Sequence, residues 1–325
     1  MSLMTKRTSF CIMFIRGGIL FMPPLLFMDK VIKLSPVVKS YIWGGDYFQK
    51  FGKSDLDIVS ELWELSINGE DTCREANSQK LLSDLIDEND IGPNAKRFPY
   101  FPLLIKLIDA KDNLSVQVHP SDEYALKYEN SFGKCEMWYV LNADKGSGLY
   151  VGLNNDYSKE EIERRLKDSS ILECLNFFPV RSGDVFLIKP GTIHAIGKGV
   201  RIIEIQQNSK LTYRLYDYLR KDKNGNYREL HIGKALKVID YHKYQKTTQN
   251  GEYLANNEYF TVKKIDIKGE LELKADQGSF VSFTFIDGEG YVDNIPYQIY
   301  DTFFLPCHKK CLIKGTGTII VSYIE

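Results

Sequence analysis

At 325 residues the chain has length for about two domains at the usual ~150 residues each. Lys plus Arg number 42 and Asp plus Glu 43, so the formal net charge of −1 excludes the cation excess that a broad nucleic-acid or polybasic membrane surface needs. With 43% hydrophobic and 26% charged residues the composition is that of an ordered globular protein, and 20 Tyr and 18 Phe favour strands.

The first 28 residues read as an extension ahead of the folded part. Lys6 and Arg7 precede an apolar run, but Arg16-Gly17-Gly18 interrupts it, Pro23-Pro24 spoils its second half, and no small-x-small cleavage site follows. Neither a secretory signal nor a spanning helix is expected there. From Leu34 to Ser66 the pattern is strand-like around a turn at Trp43-Gly44-Gly45. Ser78 to Asn89 carries apolar residues at 81, 82, 85 and 86, the stripe of a short helix. Pro93 to Pro102 is a loop, and Leu103 to Ala110 a buried strand. A second helix is predicted over Ser158 to Leu175, with Ser158 as cap and Glu161 three residues on. Between Phe177 and Arg214 short strands are split by turns at Ser182-Gly183-Asp184, Pro190-Gly191 and Gly197-Lys198-Gly199, the punctuation of a sandwich or barrel. His231 to Val238 predicts a third helix, and beyond about residue 245 the chain is strand-rich to Glu325.

An internal echo accompanies this pattern. Asp184-Val185-Phe186-Leu187-Ile188-Lys189-Pro190 resembles Asp301-Thr302-Phe303-Phe304-Leu305-Pro306, and each follows a glycine-containing turn. Two copies of a jelly-roll unit produce such an echo. The six cysteines, at 11, 73, 135, 174, 307 and 311, form no C-x-x-C, and the chain is long enough to stabilise itself by core burial. They read as reduced thiols of a cytoplasmic protein. Cys307-His308-Lys309-Lys310-Cys311 has the look of half a metal site, but no second ligand pair lies near it.

The chemistry concentrates elsewhere. In Ser115-Val116-Gln117-Val118-His119-Pro120 the alternation puts Ser115, Gln117 and His119 on one face of a strand and the two valines on the other. Glu136 opens an apolar strand, and His194 follows the turn at Pro190-Gly191. Two His, one Glu and an amide oxygen would give Zn²⁺ four N/O ligands and leave a position for substrate or water. Glu204, Gln206 and Asn208, and then Thr212, Arg214 and Tyr216, alternate with apolar residues. Those two polar faces either line a cavity for an anionic substrate or face solvent.

Assembled, these residues resemble the type I mannose-6-phosphate isomerases, zinc enzymes on a cupin scaffold. The likeness is carried by Ile42-Trp43-Gly44-Gly45, Glu61-Leu62-Trp63-Glu64-Leu65-Ser66, Phe101-Pro102-Leu103-Leu104-Ile105-Lys106, Gln117-Val118-His119-Pro120, Gly133-Lys134-Cys135-Glu136-Met137-Trp138, Pro190-Gly191-Thr192-Ile193-His194-Ala195 and Thr212-Tyr213-Arg214-Leu215-Tyr216-Asp217. The resemblance implies a mainly β fold of two cupin-type jelly-roll barrels with a few peripheral helices. It implies a catalytic zinc domain over 29–244 and a degenerate cupin-like β domain over 245–325, the latter without the ligand pattern, its lone His308 near the place of His194. There is no room for the helical domain of the long members, so the chain is similar to the short bacterial form. Long members also have a Tyr two residues after the equivalent of His194, where this chain has Ile196.

Carried over by motif, Gln117, His119, Glu136 and His194 are the expected ligands of one Zn²⁺ per chain. Lys134, Glu204 and Arg214 are expected beside the reacting carbons, Ser115 and Arg214 as substrate-binding residues, and either Lys134 or Glu204 as the proton-transfer base. The expected partner is a phosphosugar, with no nucleic acid and no membrane, in a cytoplasmic monomer or homodimer. The alternatives are a non-catalytic sugar-binding cupin or another metal-dependent cupin enzyme, such as an iron dioxygenase using a 2-His-1-carboxylate triad.

Overall fold

The computed structural model describes residues 30–222, 224–246, 252–276 and 278–325, together with the backbone of a strand pair at Phe14–Ile15 and Gly18–Ile19. The rest of the expected 1–28 extension lies outside the described residues. Two antiparallel sheets build the N-terminal barrel. One runs, in spatial order, Leu175–Pro179, Gly148–Leu153, His194–Ile196, Val116–Val118 and Tyr213–Tyr216. The facing sheet runs Val185–Ile188, Glu136–Ala143, Val200–Gln207, Leu103–Ala110, Glu61–Leu65 and Val37–Lys39.

Leu103–Ala110 is buried along its whole length because both faces of its sheet are covered. Leu103, Ile105 and Leu107 point to a core shared with the C-terminal unit. Leu104, Lys106 and Ile108 point the other way, into a cavity between the two sheets. The neighbouring strands share this division. Met137, Ile203 and Ile205 enter the shared core, while Glu204 lines the cavity and its partner Trp138 packs inside the barrel.

The C-terminal sheet runs Tyr253–Asn256, Thr261–Lys274, Lys310–Tyr323, Val281–Val292, Thr302–Leu305, Ile32–Ser35 and Arg74–Glu75. The N-terminal strand Ile32–Ser35 completes it by pairing with Thr302–Leu305, so the polypeptide crosses between the units near its start. Phe283, Phe285, Phe303, Ile313, Ile319 and Val321 fill its interior. The echo is structural. Val185–Ile188 pairs with Glu136–Tyr139 as Thr302–Leu305 pairs with Val281–Thr284. Asp184 accepts from the Arg181 backbone N–H at 2.8 Å, and Asp301 accepts from that of Gln298 at 2.9 Å, the same turn used twice.

The predicted helices are shorter than their apolar stripes imply, and a helix that was not predicted, Asp122–Tyr128, forms with Ser121 as its cap. The 78–89 segment holds a 3₁₀ turn, Leu82–Asp84, and only the start of a four-residue helix, Glu88–Ile91. Asp87 accounts for the break, because its carboxylate caps a new start by accepting from the Asn89 and Asp90 backbone. The second helix spans Lys159–Lys167 with Ser158 as its cap, then gives way to a 3₁₀ turn at Ile171–Cys174. The third shrinks to Ile232–Ala235. No helix among the described residues is long and apolar enough to cross a membrane.

Candidate active site

His119 directly follows the strand Val116–Val118, and His194 opens the adjacent strand, where it stands opposite Gln117. Glu136 opens a strand of the facing sheet. The two sheets therefore deliver three ligand-type side chains to one point, with ligand atoms all within 4.8 Å of one another. His119 Nε2 lies 3.5 Å from Glu136 Oε2, and His194 Nε2 lies 3.3 Å from Glu136 Oε1. All three are buried. Neither Nε2 nor either carboxylate oxygen has a hydrogen-bond partner among the described residues. Buried polar groups are ordinarily satisfied, so this orphaned set fits a bound cation, and its N/O chemistry suits a zinc-type ion.

Supporting interactions prepare the set. His194 Nδ1 is 2.8 Å from the Thr192 carbonyl; with Nδ1–H donating there, the Nε2 lone pair faces Glu136. Burial holds both imidazoles below the usual range, His194 to about 4, with Lys134 adding to the effect on each. Both rings are thus neutral, as a metal ligand must be. Burial, reinforced by Glu204, pushes the Glu136 carboxyl up to about 8 against the pull of Lys134 and Lys106. A cation among the three groups would remove that cost.

Beside this trio opens a cavity of about 300 Å³, lined by Ser115, Gln117, Lys134, Glu204 and Arg214 among others. All eight residues singled out from the sequence thus gather at one place. Lys134 Nζ lies 3.8 Å from Glu136 Oε2 and donates to Thr212 Oγ1 at 3.4 Å. Burial disfavours its ammonium form, and Lys106 adds to this. Glu204 accepts from Lys106 Nζ at 2.8 Å on one oxygen and from Trp138 Nε1 at 2.9 Å on the other. Burial opposes its ionisation, but Lys106 and Lys134 outweigh burial and keep the carboxyl below its usual range. Arg214 donates to Ser115 Oγ at 3.3 Å and to the Glu229 carbonyl at 2.7 Å. Ile196 forms part of the wall.

Sequence reasoning left several functional neighbours without roles. Lys106 is the clearest, a lone cation inside the apolar run Leu103–Ala110, and that placement was its signal. Lys39, Lys210 and Arg228 also line the cavity, and only a fold could bring them there. With Lys106, Lys134 and Arg214 they outnumber the lining acids Glu61, Asp71 and Glu204, so the cavity favours an anion. Cys307 and Cys311 take no part: Cys307 donates to the Asp276 carbonyl at 3.1 Å, and Cys311 lies in the C-terminal core.

The catalytic-domain model of type I phosphomannose isomerases matches residues 31–147, and the cupin-domain model of mannose-6-phosphate isomerases matches 249–324. The mannose-6-phosphate isomerase ManA of Bacillus subtilis is 36% identical over 308 residues, covering 89% of this chain and 97% of that protein. The mannose-6-phosphate isomerase of Streptococcus mutans is 36% identical over 261 residues, covering 76% of this chain and 82% of its own. The solved mannose 6-phosphate isomerase of Bacillus subtilis superposes with a TM-score of 0.81 at 34% identity, over 90% of this chain and 99% of that one. The apo mannose 6-phosphate isomerase of Salmonella typhimurium shares the fold at 16% identity, with a TM-score of 0.71 over 92% of this chain and 100% of that one.

Proposed function

The chain belongs to the type I mannose-6-phosphate isomerase family, and from that premise we propose how its own side chains interconvert mannose 6-phosphate and fructose 6-phosphate. The observation that carries the reading is the unpartnered His119–Glu136–His194 set beside the buried Lys134 in a cationic cavity. These three residues, with Gln117 adjacent, would hold one Zn²⁺. Bound there, the ion supplies Lewis-acid stabilisation of negative charge on the substrate oxygens.

The reaction moves a proton between C2 and C1 through an enediol, so it needs a group that accepts a proton and returns it. Lys134 suits this task, because burial weakens its hold on the extra proton and its ion-pair contact with Glu136 is a loose 3.8 Å. Glu204 suits it less. Both of its oxygens already accept short hydrogen bonds, and two lysines hold it ionised. We assign it to fixing Lys106 and Trp138 in the cavity wall. Arg214, with Ser115, would orient the substrate through its planar donors.

A coupled assay for fructose 6-phosphate on zinc-loaded protein, with metal content measured in parallel, tests the reading. Lys134→Met should retain the metal and lower turnover by ~10²–10⁴-fold, the usual contribution of general acid–base catalysis. Full activity in that variant would remove Lys134 from the proton path.

A further inference from the structure

Between the strand Tyr213–Tyr216 and the helix Ile232–Ala235 the chain makes an excursion over residues 217–231. Tyr218 and Leu219 there hold φ of 56° and 54°, left-handed values that bulky side chains seldom adopt. Such strain persists where the surroundings over-determine it. Here they do. The buried Asp217 carboxylate accepts from Arg228 Nε at 2.7 Å, from Arg228 Nη2 at 2.5 Å and from Arg220 Nη2 at 2.6 Å. Arg220 Nη1 also reaches Asp112 at 3.3 Å. A bridge between Lys221 and Tyr227 closes the tip, where Asp222 accepts from the Asn224 and Asn226 backbone.

The product of this bracing is the position of one side chain. Arg228 lines the cavity alongside Arg214, with Nε and Nη2 turned to Asp217 and no hydrogen bond to Nη1 among the described residues. Arg214 has neutral acceptors, the Ser115 hydroxyl and the Glu229 carbonyl. The two guanidiniums are close enough that, after burial, Arg228 is the next cause weakening proton binding by Arg214. Asp112 and Asp217 balance Arg220 and Arg228, while Arg214 has no carboxylate partner among the described residues, so one positive charge beside the cavity remains unpaired. A guanidinium that served only to tie down the excursion would have no reason to face that space.

We propose that Arg228 is a specificity-determining residue, which with Arg214 grips the phosphate group of the sugar phosphate, and that Asp217 is the positioning residue that aims it. The inference rests on reading the cavity as the site of a phosphorylated hexose. A tetrahedral dianion matches planar N–H forks from two directions, and an unphosphorylated sugar offers them nothing comparable.

The test uses zinc-loaded protein with mannose 6-phosphate as substrate and inorganic phosphate as probe, followed by inhibition and by calorimetric binding. Arg228→Met should raise KM and the phosphate dissociation constant together by about 10- to 100-fold while leaving kcat within about threefold, the mark of lost uniform binding. Asp217→Asn should shift both constants the same way by less, and Arg228→Lys should lie between wild type and Arg228→Met. If Arg228→Met fails to fold, Arg228→Lys carries the test through the same two constants. Unchanged KM and unchanged phosphate binding in the variant that folds would overturn the proposal. Wild-type protein that binds phosphate through Arg228 but forms no fructose 6-phosphate would instead refute the activity and leave this anion site standing.

Discussion

The two units of the molecule solve one backbone problem with opposite interiors. Matching the echo residue by residue, Ile188 corresponds to Leu305 and Phe186 to Phe303, and the ladders then extend the comparison across each sheet. Ile188 faces Glu136 where Leu305 faces Val281, and Phe186 faces Trp138 where Phe303 faces Phe283. One strand further, Glu204 stands opposite Trp138 where Val321 stands opposite Phe283. Val281, Phe283 and Val321 thus occupy the places of Glu136, Trp138 and Glu204. The replacements close the second interior: Phe283 stacks on Phe303 at 5.3 Å with rings 7° from parallel. His308, near the place of His194 but shifted from it, is exposed on a turn with φ 65°. On this common frame one barrel turns carboxylates inward where the other turns apolar side chains.

The strongest way to break that contrast is to move one residue across it. Glu136→Val gives the first barrel the residue of the second. Metal content should fall to background and turnover should drop by at least ~10³-fold, since both the cation and the charge that fixes it are lost. The metal-free variant should nevertheless unfold at higher urea than metal-free wild type, by about 1–4 kcal/mol, because an apolar residue replaces a buried carboxyl. Activity and metal retained together would show that Glu136 is not a ligand.

A subtler contrast lies within the catalytic cavity, between Lys134 and Glu204. If Lys134 carries the proton, Glu204→Gln should keep zinc and cost less, about 10- to 100-fold in kcat, by loosening Lys106 and the wall. The loss should appear as a drop in kcat with the pH profile otherwise retained. A larger loss in Glu204→Gln than in Lys134→Met would reverse the two roles.

The catalytic half of this contrast was legible from residues, and the reasons are local. Q-x-H-P, K-x-E and P-G-x-x-H-A each put a ligand-type side chain at a strand end, and a strand's two-residue period carries its neighbours to the same face. The strands and the echo were readable because turn residues punctuate them. The 78–89 helix was not, because Leu82, Leu85 and Ile86 answer to packing on a neighbouring core while Asp87 starts a new turn. The pairing of Ile32–Ser35 with Thr302–Leu305 joins the two ends of the chain, and no local pattern records such a contact. Arg228 and Lys39 were hidden for the same reason: their roles come from where loops and edges close over the cavity.

The smallest expected effect concerns the seam between the units. On the strand Glu61–Leu65, Glu61 and Trp63 face the cavity, while Glu64 turns the other way and is fully buried with Oε1 unpartnered among the described residues. Lys53 and the Thr302 hydroxyl face it favourably, Asp301 unfavourably, and Cys73 lies close behind. Burial pushes its carboxyl up from 4.5 to about 7 in spite of Lys53 and Thr302. A carboxyl raised on folding binds its proton more tightly in the native state, so its stabilisation is complete below pH 4.5 and is lost as pH rises through about 7. Glu64→Gln should therefore match wild type at pH 4.5 and exceed it at pH 8.5, by roughly 3 kcal/mol at most. Urea unfolding at the two pH values reads the difference directly. Equal stability of the two proteins at pH 8.5 would mean that Lys53 compensates an ionised Glu64. Glu64 would then be one more ion beside the Lys53–Asp301 pair, and the contrast between the ionised cavity carboxylate of Glu204 and a neutral seam carboxyl would disappear.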